Sequence, residues 1–168
     1  MMKKVMDYQF FGIPVVTVLI AAFWLLVATW LWTGSLFNGV NFPALPAWPE
    51  LNGLTDDDMG AISVSWQLVG LLAILLQTLG LATLLKWRQV STLAQAAQTG
   101  LIASIAFSMP IIIYPLVFRP EHNVMLFLIN ASNYLFGLVT TAMLLYVLPG
   151  ISQGREKSTY TQPVEPVS

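Results

Sequence analysis

The sequence predicts an all-α polytopic membrane protein, with four transmembrane helices in a bundle and both termini cytoplasmic. Three observations carry this expectation. Hydrophobic residues make up 57% of the 168 residues and charged residues only 9%, whereas a water-soluble domain carries about a quarter charged residues. Four stretches lack Asp, Glu, Lys and Arg altogether: residues 10–33, 61–85, 93–118 and 124–148. At about 1.5 Å per residue a bilayer crossing takes about 20 apolar residues, and each stretch meets that. Finally, Lys3, Lys4, Lys86, Arg88, Arg155 and Lys157 all fall on one side of these spans, and only Arg119 falls on the other. Basic loops stay in the cytoplasm.

The same composition excludes function classes. Seven Lys+Arg and eight Asp+Glu cannot cover a soluble globule, which rules out a soluble enzyme, a nucleic-acid binder and a disordered chain. The chain has no cysteine, hence no disulfide, thiolate nucleophile or Cys-based metal site. Its one histidine, His122, stands beside Arg119 and Glu121 in the third loop, where solvation is the expected state.

The first span, residues 10–33, follows Lys3 and Lys4 as a secretory signal would. Its apolar run exceeds the about 7–15 residues of a signal core, and no small-residue cleavage site follows. A retained helix is expected, with Trp24, Trp30 and Trp32 in an interfacial aromatic belt. The extracytoplasmic loop, residues 38–59, carries Pro43, Pro46 and Pro49 at three-residue spacing, which favours an extended path. Phe42 and Trp48 would dock it on the membrane. Thr55-x-x-Asp58 reads as a capping box, with Asp56, Asp57 and Asp58 in a first helical turn near Asp56, where the macrodipole favours negative charge. Three consecutive Asp diverge on a helix and make a poor calcium site.

In the second span Gln67, Gly70, Ile74, Gln77 and Leu81 form one seam. In the third, Ala96, Gly100, Ser104 and Ser108 recur every four residues, a ridge that permits close backbone approach. Pro110 and Pro115 should bend or locally unwind this helix near residues 108–114. In the fourth, Asn130, Asn133, Gly137 and Thr140 share a side, with Tyr134 one position round. Asn133, Gly137 and Thr141 make a ridge expected to pack on that of the third span. Residues 1–150 thus form one transmembrane domain, and 151–168 a polar, disordered cytoplasmic tail.

Two readings of the amides compete. Gln67, Gln77, Asn130 and Asn133 either hydrogen-bond across the bundle as interhelical contacts, the default in membrane bundles, or converge with Tyr134 on a polar pocket for a small solute or lipid headgroup.

Several stretches together resemble the small bacterial membrane proteins of domain-of-unknown-function family 1761. They are Trp30-x-Trp32 with Ser35-Leu36-Phe37, Gly53-Leu54-Thr55-Asp56-Asp57-Asp58-Met59, Gly100-Leu101, and Phe127-Leu128-Ile129-Asn130-Ala131-x-Asn133-Tyr134. The likeness covers residues 10–148. It implies a four-helix protein of the bacterial inner membrane with no assigned activity and no catalytic residue to carry over. The tight Gly-x-x-Trp-Tyr of the family's first helix is absent here, and the proline-bearing loop is atypical.

No span contains an ionisable residue, so proton relays, voltage sensors and acid–base chemistry lack their usual carriers. The expectation is a non-catalytic integral membrane protein, with no cofactor and no metal. It would act by helix packing as a homo-oligomer or as an accessory subunit among other membrane subunits and lipids. The alternative is a transporter or pore for a small neutral or amphipathic solute.

Overall fold

A computed structural model of the chain describes residues 9–32, 64–118 and 124–148. Within these ranges the side chains at 10, 64–67, 115, 116 and 126 are not described. The loop at 38–59, the Asp56–Asp57–Asp58 start, His122 and the tail at 151–168 lie outside the described residues.

A short hairpin, β1 (Gln9–Phe10) and β2 (Ile13–Pro14), leads into α1 (Val15–Trp30). Then come α2 (Val64–Trp87), α3 (Leu93–Ala103), a π-helical turn (Ser104–Ser108), α4 (Met109–Phe118) and α5 (Val124–Val147). Three helices are long and apolar enough to cross a membrane: α2, the continuous rod of α3, π turn and α4, and α5. With 16 residues, α1 rises about 24 Å, short of the about 30 Å hydrocarbon core.

The start of the first span departs from the expected helix at residue 10. Phe11 and Gly12 have φ of 53° and 70°, the pair of positive values that a two-residue type I′ hairpin turn requires. The strands pair antiparallel, Gln9 opposite Pro14 and Phe10 opposite Ile13. Pro14 disfavours helical backbone at Ile13 and stands at the helix N-cap, where its missing N–H is no loss. The Lys86 ammonium, at the end of α2, donates to the carbonyls of Phe11 and Gly12 at 3.0 and 2.8 Å. The turn lies inside a run without Asp, Glu, Lys or Arg, and Gly12 and Pro14 were the turn signals available in the sequence.

The irregularity of the third span begins one turn before the expected stretch and meets it at Ser108. The backbone is helical through Pro110 and Pro115, and the widened turn precedes them at Ser104–Ser108. Pro110 has no N–H for the carbonyl of Ala106, and its ring crowds that carbonyl. The ladder slips to five-residue spacing, with the Met109 N–H donating to the Ser104 carbonyl. A single π turn absorbs the proline without breaking the rod.

In lipid, close backbone approach must do what the hydrophobic effect does in water. The core accordingly mixes small and aliphatic residues. Ala21 and Leu25 of α1, Ala82 and Leu85 of α2, Ala96 and Ala103 of α3, and Leu138, Ala142 and Leu145 of α5 are all buried. Val90 and Ile13 close one end of it. At that end Tyr146 donates its hydroxyl to the Ser91 carbonyl at 2.8 Å. The β-hairpin, the turn after α2 and the end of α5 therefore share one end of the bundle. Lys86 and Arg88, the cations among the described residues, both stand there.

Candidate functional site

Among the described residues, those singled out from sequence do not all line one groove. Gln77 is half-buried on α2 and lines a groove of about 340 Å³ with Gly80, Leu81 and Leu84 of the same helix, Ala103 and Phe107 of the third span, and Leu138 of α5. Asn130, Asn133 and Tyr134 do not line it. Asn133 is buried, and its side-chain oxygen has no hydrogen-bond partner among the described residues. Asn130 is half-buried and engaged, whereas Tyr134 is exposed. Gln67 lies in α2, but its side chain is outside the description.

The packing residues are arranged by helix pair. Gly100, Ser104 and Ser108 are all buried. A Cβ on Gly100 would meet Val139 Cα at 2.8 Å and Ala142 Cβ at 2.9 Å, so the third span lies with its backbone against α5. Gly137 turns elsewhere: its Cβ would meet Leu25 Cδ1 of α1 at 3.0 Å. Of the helix-four ridge read from sequence, Gly137 faces α1, while the part of α5 that Gly100 meets is Leu138, Val139 and Ala142, beside that ridge. The Ser104 and Thr141 hydroxyls are fully buried without hydrogen-bond partners among the described residues.

Trp24 and Trp32 have a role that sequence reading missed. They tie the first span to α5. The Trp24 indole donates to Thr140 Oγ1 and the Trp32 indole to Ser132 Oγ, each at 3.1 Å. Moving from 24 to 32 on the first span corresponds to moving from 140 to 132 on α5, so the two run antiparallel in fixed register. Trp32 also stacks on Phe136, ring centroids 4.9 Å apart. An indole N–H in hydrocarbon needs an acceptor, and the hydroxyls at matching eight-residue spacing were the signal available in the sequence. Trp30 is exposed.

The chemistry available is limited. The described residues contain no Asp, Glu or His, and no group of them could hold a metal ion. Hydroxyls are mostly spent on their own helices: Thr78 donates to the Ile74 carbonyl, Thr83 to Leu79, Thr99 to Gln95 and Thr140 to Phe136, at 2.7–2.8 Å. A nucleophile would need an activating base beside it, and the described residues offer no carboxylate or imidazole for that role. A second hollow, about 230 Å³ between α1 and α2, is lined by Val15, Val18, Leu19, Leu75, Leu76 and Leu79. Both hollows are lined mainly by apolar side chains. No family model, curated protein or solved structure matches this chain.

Proposed function

We propose that this chain is a non-catalytic, four-span protein of the bacterial inner membrane that acts by association, as a homo-oligomer or as an accessory subunit of a larger membrane complex. One observation carries the reading. Residues 68–73, nearly two turns of α2, are exposed on every side among the described residues. Of the spanning windows, that of α2 is 22% buried, against 39% and 44% for the other two.

Gly70 lies in this uncovered stretch, with nothing within 4 Å of where its Cβ would be. A glycine inside a helix costs about 1 kcal/mol relative to alanine. At Gly100 the close contact with α5 explains that cost. At Gly70 a partner helix approaching the bare backbone accounts for it equally well, since small residues mark helix interfaces in lipid.

The fourth crossing is supported by the register of α1 along α5. From the hairpin held by Lys86 to Trp32 beside Ser132, the first span runs beside most of a spanning helix. The orientation is supported by the grouping of Lys86 and Arg88 at the end where α1 begins and α5 finishes; in the sequence, Lys3 and Lys4 precede α1, and Arg155 and Lys157 follow α5. That end is the cytoplasmic one by the basic-residue rule.

Native mass measurement in nanodiscs tests the association. The expected result is a particle at a multiple of the chain mass that Gly70→Leu reduces toward the monomer. A strictly monomeric wild-type protein, recovered without other subunits in several lipids, overturns the reading.

A further inference from the structure

The groove beside Gln77 has a direction. On α2 its wall passes through Gln77, Leu81 and Leu84, steps of four and three residues that keep to one helical face. The next step of four is Arg88, whose backbone N–H donates to the Leu84 carbonyl at 2.9 Å, so the helical path continues to it. On the opposite wall, Ala103 is followed one turn along α3 by Thr99. There the walls meet: Arg88 Nη1 donates to Thr99 Oγ1 at 3.0 Å. The guanidinium therefore stands one helical turn beyond the Leu84 end of a groove whose polar lining residue is Gln77.

We propose that this groove seats one acyl chain of an anionic phospholipid whose phosphate is held by Arg88. The proposal rests on the membrane-spanning reading of the helices and is independent of oligomeric state. Depth argues for it. Gln77 and Arg88 are 11 positions apart, about 16 Å along a helix, and one leaflet of hydrocarbon is about 15 Å deep. A chain whose headgroup sits at Arg88 ends near Gln77. Trp87, 84% exposed, places this level at the headgroup zone, where indoles concentrate.

Charge selects the headgroup. Arg88 is exposed, and no carboxylate exists among the described residues to neutralise it. Thr99 takes one of its five N–H donors, and the remaining fork suits a phosphate. Lys86 does not compete, being engaged with the Phe11 and Gly12 carbonyls.

Native mass spectrometry of the full chain, offered phosphatidylglycerol and phosphatidylcholine with identical acyl chains, tests the proposal. The wild type is expected to retain phosphatidylglycerol about tenfold better: both phosphates can accept from Arg88, but the fixed cation of choline repels the guanidinium and offsets the attraction. Arg88→Gln should bring the ratio close to one. Gly80→Leu should reduce retention of both lipids, because leucine fills the groove from a position with nothing within 4 Å of its Cβ. Equal retention by the wild type, an unchanged ratio in Arg88→Gln, or undiminished retention in Gly80→Leu overturns the proposal. So does cross-linking of Gly80→Cys to a second copy in native membranes, which would make the groove a subunit interface.

Discussion

A Cβ placed on Gly100 would sit 2.7 Å from the carbonyl oxygen of Leu138. The obstacle is backbone, which cannot rotate away as a side chain would. Gly100→Ala is therefore expected to destabilise the protein by about 1–3 kcal/mol, the usual range for overpacking. The opposite holds on α2: Gly80→Ala meets open space and should be neutral or stabilising by up to about 1 kcal/mol. Unfolding of both variants by SDS titration in mixed micelles checks the contrast.

The indole–hydroxyl ties set the register of α1 against α5. A double-mutant cycle of Trp24→Phe with Thr140→Val should give a coupling energy of about 0.6 kcal/mol, the measured average for interhelical hydrogen bonds in a membrane protein, and no more than about 1.7 kcal/mol. Thr140 also donates to the Phe136 carbonyl at 2.8 Å, so Thr140→Val alone also loses that bond, and the cycle separates the two. A coupling energy of zero would remove the tie from the account.

The hairpin at the start of the first span depends on Gly12. Its φ of 70° suits glycine, and an added Cβ would collide with Lys86 Nζ. Gly12→Ala is expected to cost about 1–2 kcal/mol from the backbone alone. It should also increase amide exchange over residues 9–14. Lys86→Met, which leaves the Phe11 and Gly12 carbonyls without their donor, should raise exchange in the same segment while leaving α5 protected.

These three cases show what the sequence can and cannot display. The expected spans 93–118 and 124–148 correspond to helical backbone from Leu93 to Phe118 and from Val124 to Val147. Long apolar runs bounded by Lys86, Arg88 and the polar loops leave little choice of length. Azimuth is another matter. In water a helix shows its buried face by contrast with a polar one, but α2 is apolar all round. Nothing in its pattern says that Thr78 and Leu85 face inward and Leu76 outward. Gly137 turning to Leu25 was hidden for the same reason. The π turn was illegible because Ser104–Ser108 is ordinary helical sequence, and the cause, Pro110, lies just beyond it.

Pro110→Ala restores an N–H for the Ala106 carbonyl, so the π turn should relax to α-helix. Removing one residue's worth of slippage rotates the face of α4 by about 100°. Ile112, buried at 8% exposure, should then become accessible: a cysteine at 112 should react with a lipid-phase maleimide faster in the Pro110→Ala background. An unchanged rate would show that the turn has another cause.

The pore alternative has a direct assay in proteoliposomes. Gln77→Leu should leave solute permeation at the background of empty vesicles, as should the wild type, because the groove carries Gln77 without Asn130, Asn133 or Tyr134. Flux above background in the wild type that Gln77→Leu abolishes would favour a transporter.

The proposed four-span bundle, with its basic end facing the cytoplasm, is open to direct test by labelling. The chain has no cysteine, so single cysteines introduced for Asp7, Asn52, Gln89 and Ser158 can be labelled in intact cells with a membrane-impermeant maleimide. Labelling at 52 alone, with 7, 89 and 158 reacting only after lysis, is the predicted result. Labelling of 7 and 158 from opposite faces, or of 52 and 89 from the same face, would contradict it.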